Sequence, residues 1–498
     1  MEEHLEEIMN REPLVVAPEG SLAAAAAAMQ SRGVGAAVVV DGPSVAGILT
    51  ERDLARAAAA GVRPADVPVS SWMTAAPLTM SPADDPTEAI DRMLGCHFRH
   101  IPVCDGERLV GIVSLRRLVR AASVGKVDPW TPGSSRGLEN VVVGETRLSH
   151  IDGARGQLVL SGYDATVLAR DRSFEDVWGL LHDGALPEGE AFARRVARLR
   201  AEPLAVDLLV ALARRPGAPM AQLQAAIAGT GAAWTLRPWY EREPDELAEE
   251  ALRIGAIVPA LVAALWRLGR GLEPVPADAS LGHAADYLRM LHGVSAGGAE
   301  VRALDRYLVL AAEHGMNAST FTARVIASTG ADVAAAFAGA AGAFAGPLHG
   351  GAPSLVLDML DEIEKPERAP DWLDEALRGK RRIMGFGHRV YRAEDPRAAC
   401  LRETAVELGG DRIELARLVE EEALRRLRAA KPDRALYTNV EFWAAIVLER
   451  VGVPRELFTS TFAVARAAGW ASHVIEQAHD NRLIRPTAVY RGPEVTPW

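Results

Sequence analysis

Two stretches within the first 122 residues of this chain match each other at a constant offset of 64 positions. Met9 pairs with Met73, Pro13-Leu14 with Pro77-Leu78, Pro18 with Pro82 and Met29 with Met93. Asp41-Gly42 pairs with Asp105-Gly106, and Gly47-Ile48 with Gly111-Ile112. Self-similarity at a fixed period means two copies of one supersecondary unit. Each copy reads as a helix, a short apolar strand, an Asp-Gly turn, a second strand and a second helix. In the first copy these cover Leu22–Gln30, Gly35–Val40, Val45–Leu49 and Glu51–Ala60. Asp-Gly between β-branched runs is a hairpin signal. One copy alone would leave a sheet face uncovered, so the two are expected to pack together as an α/β pair.

The segments Gly47-Ile-Leu-Thr-Glu-Arg-Asp53, Arg99-His-Ile-Pro-Val103 and Gly111-Ile-Val-Ser114 resemble a tandem CBS (Bateman) module, over residues 1–122 with repeats at about 5–62 and 69–122. In that family a Thr/Ser-x-x-Asp element holds the ribose of an adenosyl ligand. A carboxylate accepts bonds from both ribose hydroxyls, and a nearby hydroxyl meets a phosphate. The resemblance therefore implies nucleotide binding at Thr50 and Asp53. In the second copy Ser114 is kept but Arg117 stands at the Asp position. Arginine accepts no hydrogen bond, so that site is expected to be empty or altered towards phosphate, with one nucleotide per pair. A pair that only mediates subunit contacts is the alternative.

At 498 residues the chain is too long for one ordinary domain. A hydrophobic content of 49% and a charged content of 24% fit a globular protein with an ample core. The net charge of −11 argues against a nucleic-acid or membrane-surface role. Its basic residues are almost all arginine, the lysines being Lys126, Lys365, Lys380 and Lys431. Cys96, Cys104 and Cys400 show no CxxC spacing, so reduced thiols are expected. The acidic start, Met-Glu-Glu-His-Leu-Glu-Glu, lacks the layout of a signal peptide, and a cytoplasmic protein is expected. The uncharged run Val333–Leu357 is rich in Ala and Gly and broken by Pro347, His349, Gly350-Gly351 and Pro353. It reads as a closely packed helix leading into a loop, not a membrane span.

Residues 123–136 have linker composition. Beyond them Ala191–Arg200, Asp245–Leu268, Ala299–Glu313 and Arg412–Arg428 carry apolar residues at spacings of three and four, so the body should be mostly α with little strand. Four clusters carry chemistry. Glu313-His314-Gly-Met-Asn317 places His314 and Asn317 on one face if helical. Gly346-Pro-Leu-His349-Gly-Gly-Ala352 puts a histidine in an exposed, backbone-rich loop. Met384-Gly-Phe-Gly-His388 sets a histidine behind two glycines, and Arg397 nearby offers a planar fork for a carboxylate. Thr438-Asn439-Val440-Glu441-Phe442-Trp443 brings a carboxylate into an apolar setting, which should raise its pKa towards that of a useful base.

Together with Gly144-Glu-Thr-Arg-Leu-Ser149, Arg466-Ala-Ala-Gly-Trp-Ala-Ser-His473, Arg485-Pro486 and Tyr490, these clusters resemble citrate synthase over residues 137–498. The resemblance implies a multidomain chain: the α/β CBS pair, then a mainly α, two-lobed citrate synthase fold. The large lobe would span about 137–349 and 453–498, the small lobe about 350–452. It further implies condensation of acetyl-CoA with oxaloacetate, with no metal or cofactor, by a homodimer or larger homo-oligomer. Glu441 would be the base, His349 the donor to the acetyl-CoA carbonyl and His388 the donor to the oxaloacetate ketone. His314, Arg397 and Arg466 would hold the dicarboxylate, with Arg485 reaching in from a second subunit. Lys380, Arg381, Gly385, Gly387 and Asn439 are the candidate CoA contacts. Two positions depart from the family pattern: Glu441 where Asp is usual, and Pro353 where Asn is common. A 2-methylcitrate synthase using propionyl-CoA, or a catalytically degraded scaffold, are the alternatives.

Overall fold

The computed structural model describes residues 4–487 apart from 96–97, 116, 119–137, 139–140, 216, 351–352, 389, 433 and 435. The expected linker at 123–136, Cys96 and Tyr490 lie outside the described residues. The chain divides into two units, Met1–Gly144 and Glu145–Trp498.

In the first unit the first copy forms α1 (Leu22–Arg32), β1 (Ala36–Asp41), β2 (Ser44–Thr50) and α2 (Glu51–Ala59). The second forms α3 (Pro86–Gly95), β3 (His100–Asp105) and β4 (Arg108–Ser114). Gly42 and Gly106 take φ of +58° and +61°, the left-handed geometry that such tight turns require. Each hairpin slips register at the same repeat position, between Val39/Val40 and between Val103/Cys104. The two hairpins meet through the pair Ser44–Arg108.

The copies also exchange their leading segments, which the repeat alone did not indicate. Leu5, Ile8 and Met9 lead the first copy but pack in the core of the second. Val67, Val69 and Met73 lead into the second copy and pack in the core of the first. Met9 lies against Gly111 and Met73 against Gly47. A Cβ on Gly111 would sit 2.6 Å from Met9 Sδ and 2.9 Å from the Asn10 carbonyl oxygen. Gly111→Val is therefore expected to destabilise this unit by about 1–3 kcal/mol, as overpacking does. Chemical denaturation measures it, and an unchanged midpoint would mean that the exchanged contact does not form.

The second unit is mainly helical. The helices that build its site are α4 (Pro244–Leu268), α5 (Gly298–Ala311), α6 (Ala318–Ser328), α7 (Val333–Phe344), α8 (Pro353–Ile363), α9 (Pro396–Leu408), α10 (Asp411–Ala430), α11 (Val440–Arg450) and α12 (Phe458–His479). α4 and α12 pack on each other at the centre, with α5, α6 and α7 around them. Trp178, Trp443 and Trp470 are fully buried. α4 is long and apolar enough to cross a membrane, but its apolar residues are buried among the other helices. Gly339 lets α7 lie close against Ile326 of α6, which is what the Ala/Gly-rich run implied. Pro353 opens α8 at the first helical position, where proline is tolerated.

The second unit has little strand, as expected: a small antiparallel sheet, β5 (Ser149–Asp152), β6 (Gln157–Leu160) and β7 (Tyr163–Asp164), opens it. Its strands are too short to give a period-2 signal. Residues 313–317 form a turn, not a helix: Asn317 is the N-cap of α6 and accepts from Thr320 N–H at 3.1 Å. A short polar side chain serves better as a cap than inside a helix.

Candidate active site

The turn before α6 delivers His314, whose Nε2 lies 3.1 Å from the Tyr391 hydroxyl. Its ring stands 5.5 Å from that of His388, nearly perpendicular to it. Burial, with Arg397 and Arg466 adding to it, holds His314 well below the ordinary histidine pKa.

His388 accepts at Nδ1 from the backbone N–H groups of Val390 (3.0 Å) and Tyr391 (3.1 Å). Burial first, and Arg397 next, push its pKa down to about 4. The ring is thus neutral at physiological pH, and with both amides aimed at Nδ1 its proton must sit on Nε2.

His349 was expected to be exposed in a flexible loop. It is half-buried instead, against Phe344 with ring centroids 4.8 Å apart. Its Nε2 accepts from the Ser319 N–H at 3.2 Å and lies 2.9 Å from Ser319 Oγ. That hydroxyl donates to Asn317 Oδ1 and accepts from Trp470 Nε1. The neutral ring therefore keeps its proton on Nδ1, and burial lowers its pKa to about 4.

Arg397 is the second residue of α9, close to the helix's N-cap, Asp395. Its Nε and Nη2 donate to the two carboxylate oxygens at 3.0 and 2.9 Å. Burial lowers this guanidinium's pKa, but Asp395, Tyr391 and Glu441 together outweigh it and raise it. Asp395 also accepts from Val440 N–H at 3.1 Å, tying α9 to the start of α11. Arg397 is therefore only partly free to clamp a ligand. The sequence reading assigned Asp395 no role, although Asp followed by Pro is itself a helix-start signal.

Arg466, on α12, is fully buried. Its Nε donates to the Ala311 carbonyl at 2.8 Å, and its guanidinium stands 5.1 Å from the Phe462 ring centroid. Among the described residues it has no carboxylate within ion-pair distance. Burial lowers its pKa to about 10, so it remains a cation at neutral pH. Below it, Glu313 accepts from His473 Nε2 and from Ser149 Oγ, both at 3.0 Å. Gly469 has no room for a Cβ against the Ala312 carbonyl and Glu313. Neither Glu313, Ser319 nor His473 had been given a role from sequence.

Glu441 is the second residue of α11. Burial raises its carboxyl to about 7, against the pull of Arg382 and Arg397. A base of that kind must be ionised to act. The acid limb of kcat/KM is therefore expected to have its midpoint near pH 7, with activity falling about tenfold per pH unit below it. A rate profile from pH 5 to 9 measures this, and a flat profile would remove Glu441 from the role.

The candidate CoA contacts fare differently. Asn439 is the N-cap of α11: it accepts from Glu441 N–H at 3.0 Å and donates to the Gly387 carbonyl at 2.9 Å. Gly385 and Gly387 have φ of +84° and +83°, and a Cβ on Gly385 would come 2.7 Å from Phe442 Cβ. Both glycines thus serve the turn and its packing. Arg381 is held by Glu362 at 2.6 and 2.7 Å. Lys380 and Arg485 are exposed.

In the first unit Thr50 and Asp53 form a capping box that opens α2. Asp53 Oδ2 accepts from Thr50 N–H at 2.8 Å and from Thr50 Oγ1 at 2.7 Å, while Oδ1 accepts from Arg56 at 2.8 Å. In the second copy Ser114 Oγ accepts from Arg117 N–H at 3.3 Å, and Arg117 Nε donates to the Ile8 carbonyl. That nitrogen is a tie to the exchanged N-terminal segment, so the substitution at the Asp position is accounted for by packing.

Comparison with known proteins identifies the family of each unit. The family model for the citrate synthase C-terminal domain matches residues 137–487, and the CBS domain model matches 5–60 and 69–124. The citrate synthase of Haloferax volcanii is 41% identical over 368 residues, covering 72% of this chain and 95% of that protein. A putative citrate synthase 2 of Mycobacterium tuberculosis is 42% identical over 367 residues, covering 72% and 92%. The crystal structure of citrate synthase from Pyrobaculum aerophilum superposes with a TM-score of 0.66 at 36% identity, over 73% of this chain and 93% of that one. The Thermoplasma acidophilum enzyme, solved as a ternary complex with carboxymethyl coenzyme A and oxaloacetate, gives 0.67 at 30% identity, over 73% and 98%. The chain belongs to the citrate synthase family of acyl-condensing transferases and carries a tandem pair of CBS domains ahead of the synthase fold.

Proposed function

We propose that the chain condenses acetyl-CoA with oxaloacetate and water to give citrate and CoA, working in the cytoplasm as a homodimer or larger homo-oligomer. The observation that carries this reading is one carboxylate poised near neutrality, Glu441, combined with two neutral histidines whose donor nitrogens are fixed by backbone amides. A thioester α-C–H is a weak acid, so its removal needs a placed base and a donor to the enolate oxygen. Glu441 takes the proton while His349 Nδ1–H holds the thioester oxygen. His388 Nε2–H polarises the ketone and meets the developing alkoxide. His314, Arg397 and Arg466 hold the dicarboxylate, and Arg485 serves the site of a second copy. Closure of residues 350–452 over the rest excludes water until the citryl thioester is ready for hydrolysis. Release of free CoA thiol from acetyl-CoA, dependent on oxaloacetate, is the test. No release under any nucleotide condition would leave a scaffold with the CBS pair as its working part.

The CBS pair is the regulatory end of this reading, binding one adenine nucleotide at Thr50 and Asp53 and biasing closure or subunit arrangement. The support is the intact Thr-x-x-Asp element at the start of α2, where Asp53 is buried. Asp53→Ala is expected to abolish any effect of AMP or ATP on the rate while the nucleotide-free rate stays unchanged. A nucleotide response that survives would place the ligand elsewhere.

A further inference from the structure

Arg397 and Arg466 are both buried, and each has a buried carboxylate for a neighbour, but the two carboxylates are used differently. Asp395 grips Arg397 through both oxygens, at 3.0 and 2.9 Å. Glu313 stays outside ion-pair distance of Arg466, although it follows by two residues the Ala311 carbonyl that anchors this arginine. Its Oε1 accepts from His473 Nε2 and from Ser149 Oγ. Its Oε2 is buried without a hydrogen bond among the described residues. That oxygen lies against α12 at Gly469, where a Cβ would stand 2.5 Å from it, and Gly469 is one turn along the helix from Arg466. The groups behind Glu313 leave its charge in place. Arg324 Nη1 donates to His473 Nδ1 at 2.9 Å, so this ring carries its proton on Nε2 and adds no charge. Arg324 is itself paired with Glu476 at 2.6 Å. The negative charge of Glu313 therefore acts on Arg466, where it is the foremost charged influence.

We propose that Glu313 is a positioning residue that acts through Arg466 and sets how tightly the site holds anions: it weakens the grip on oxaloacetate, and weakens the grip on citrate more. This rests on the citrate synthase reading and adds to it a buried residue whose charge opposes ligand binding. The sign follows from Coulomb's law. Arg466 attracts a ligand carboxylate, and a fixed negative charge behind it repels the same carboxylate. In a medium of effective dielectric constant about 20, a like charge roughly 8–12 Å away lowers affinity by about 10–30-fold. Buried charges are screened little by salt. Citrate carries three carboxylates and oxaloacetate two, so the product is repelled more than the substrate, and its departure is favoured.

The test is Glu313→Gln in the full chain, which removes the charge, keeps the shape and leaves an amide oxygen to accept from His473 and Ser149. The Kd of oxaloacetate, measured by titration calorimetry, should fall about tenfold. The inhibition constant of citrate, competing against oxaloacetate, should fall by a larger factor. Loss of a merely structural residue would weaken both ligands rather than strengthen them. Glu313→Asp keeps the charge and should return both constants towards those of the unaltered chain. Ser149→Ala removes a hydrogen bond to Glu313 but no charge, and should leave the ratio of the two constants unmoved. Should the glutamine variant misfold, Glu313→Met removes the same charge with an apolar side chain of similar length and carries the same expectation. Weaker or unchanged binding of both ligands in a folded, uncharged variant would overturn the assignment, as would a Ser149→Ala variant that reproduces the gain. Absence of oxaloacetate-dependent thiol release by the unaltered chain would instead overturn the citrate synthase reading, and this assignment with it.

Discussion

Glu441→Gln is expected to lower kcat by about 10²–10⁴-fold, the usual contribution of a positioned general base, while leaving the fold intact. The side chain keeps its length, and the Asn439 cap that holds the start of α11 bonds to the Glu441 backbone rather than to its carboxylate. The pH midpoint near 7 should vanish from the residual activity. Glu441→Asp retracts the carboxylate by about 1.5 Å, one C–C bond. A misplacement of roughly 1 Å can cost about a hundredfold. The residue usual in the family is thus expected to be the poorer base here, because α11 is pinned by Asp395 at Val440 and cannot advance to compensate. Stopped-flow thiol release measures both variants. Unchanged turnover in Glu441→Gln would end the general-base assignment.

Arg466→Met is expected to have the second large effect, and it should divide sharply between stability and binding. Among the described residues the guanidinium is a buried cation with one hydrogen bond, to Ala311, and with the Glu313 carboxylate near it but outside ion-pair distance. A buried charge without a partner is costly, and replacing it by an apolar side chain of similar length is often neutral or stabilising. The melting temperature without ligand should therefore hold or rise. Oxaloacetate supplies the missing anion, and losing one side of a buried charge pair costs about 2–5 kcal/mol. That corresponds to a fall of about 30- to several-thousand-fold in kcat/KM for oxaloacetate. The rise in melting temperature that oxaloacetate confers by binding the native state should disappear. A lower unliganded melting temperature with ligand protection intact would make Arg466 a structural residue.

Much of the molecule was legible where the information is local. Asp41-Gly42 and Asp105-Gly106 announce their hairpins because both turns need a left-handed residue at the glycine. The helices over Ala191–Arg200, Pro244–Leu268, Gly298–Ala311 and Asp411–Ala430 follow from apolar spacing. Other features depend on partners that sequence order hides. Arg381 reads as a free cation until Glu362 is found against it. Asn439 reads as a ligand contact until it proves to be a helix cap joined to Gly387. The exchange of Met9 and Met73 between repeat copies leaves no mark in the repeat, since an exchanged and an unexchanged pair have the same period.

The sequence by itself determined that the chain has a duplicated α/β module ahead of a helical body, and which side chains could bear the chemistry. Both follow from short-range periodicity and from residue identity, which need no neighbour to be read. Only the tertiary structure decided which nitrogen of each histidine donates, and that Arg466 is buried with no carboxylate at ion-pair distance among the described residues. The proton on His349 is placed by an amide 30 residues away, and Arg466 is anchored by a carbonyl 155 residues away. Tautomer, desolvation and charge pairing are properties of an environment assembled from distant segments, so they come into being only when those segments pack.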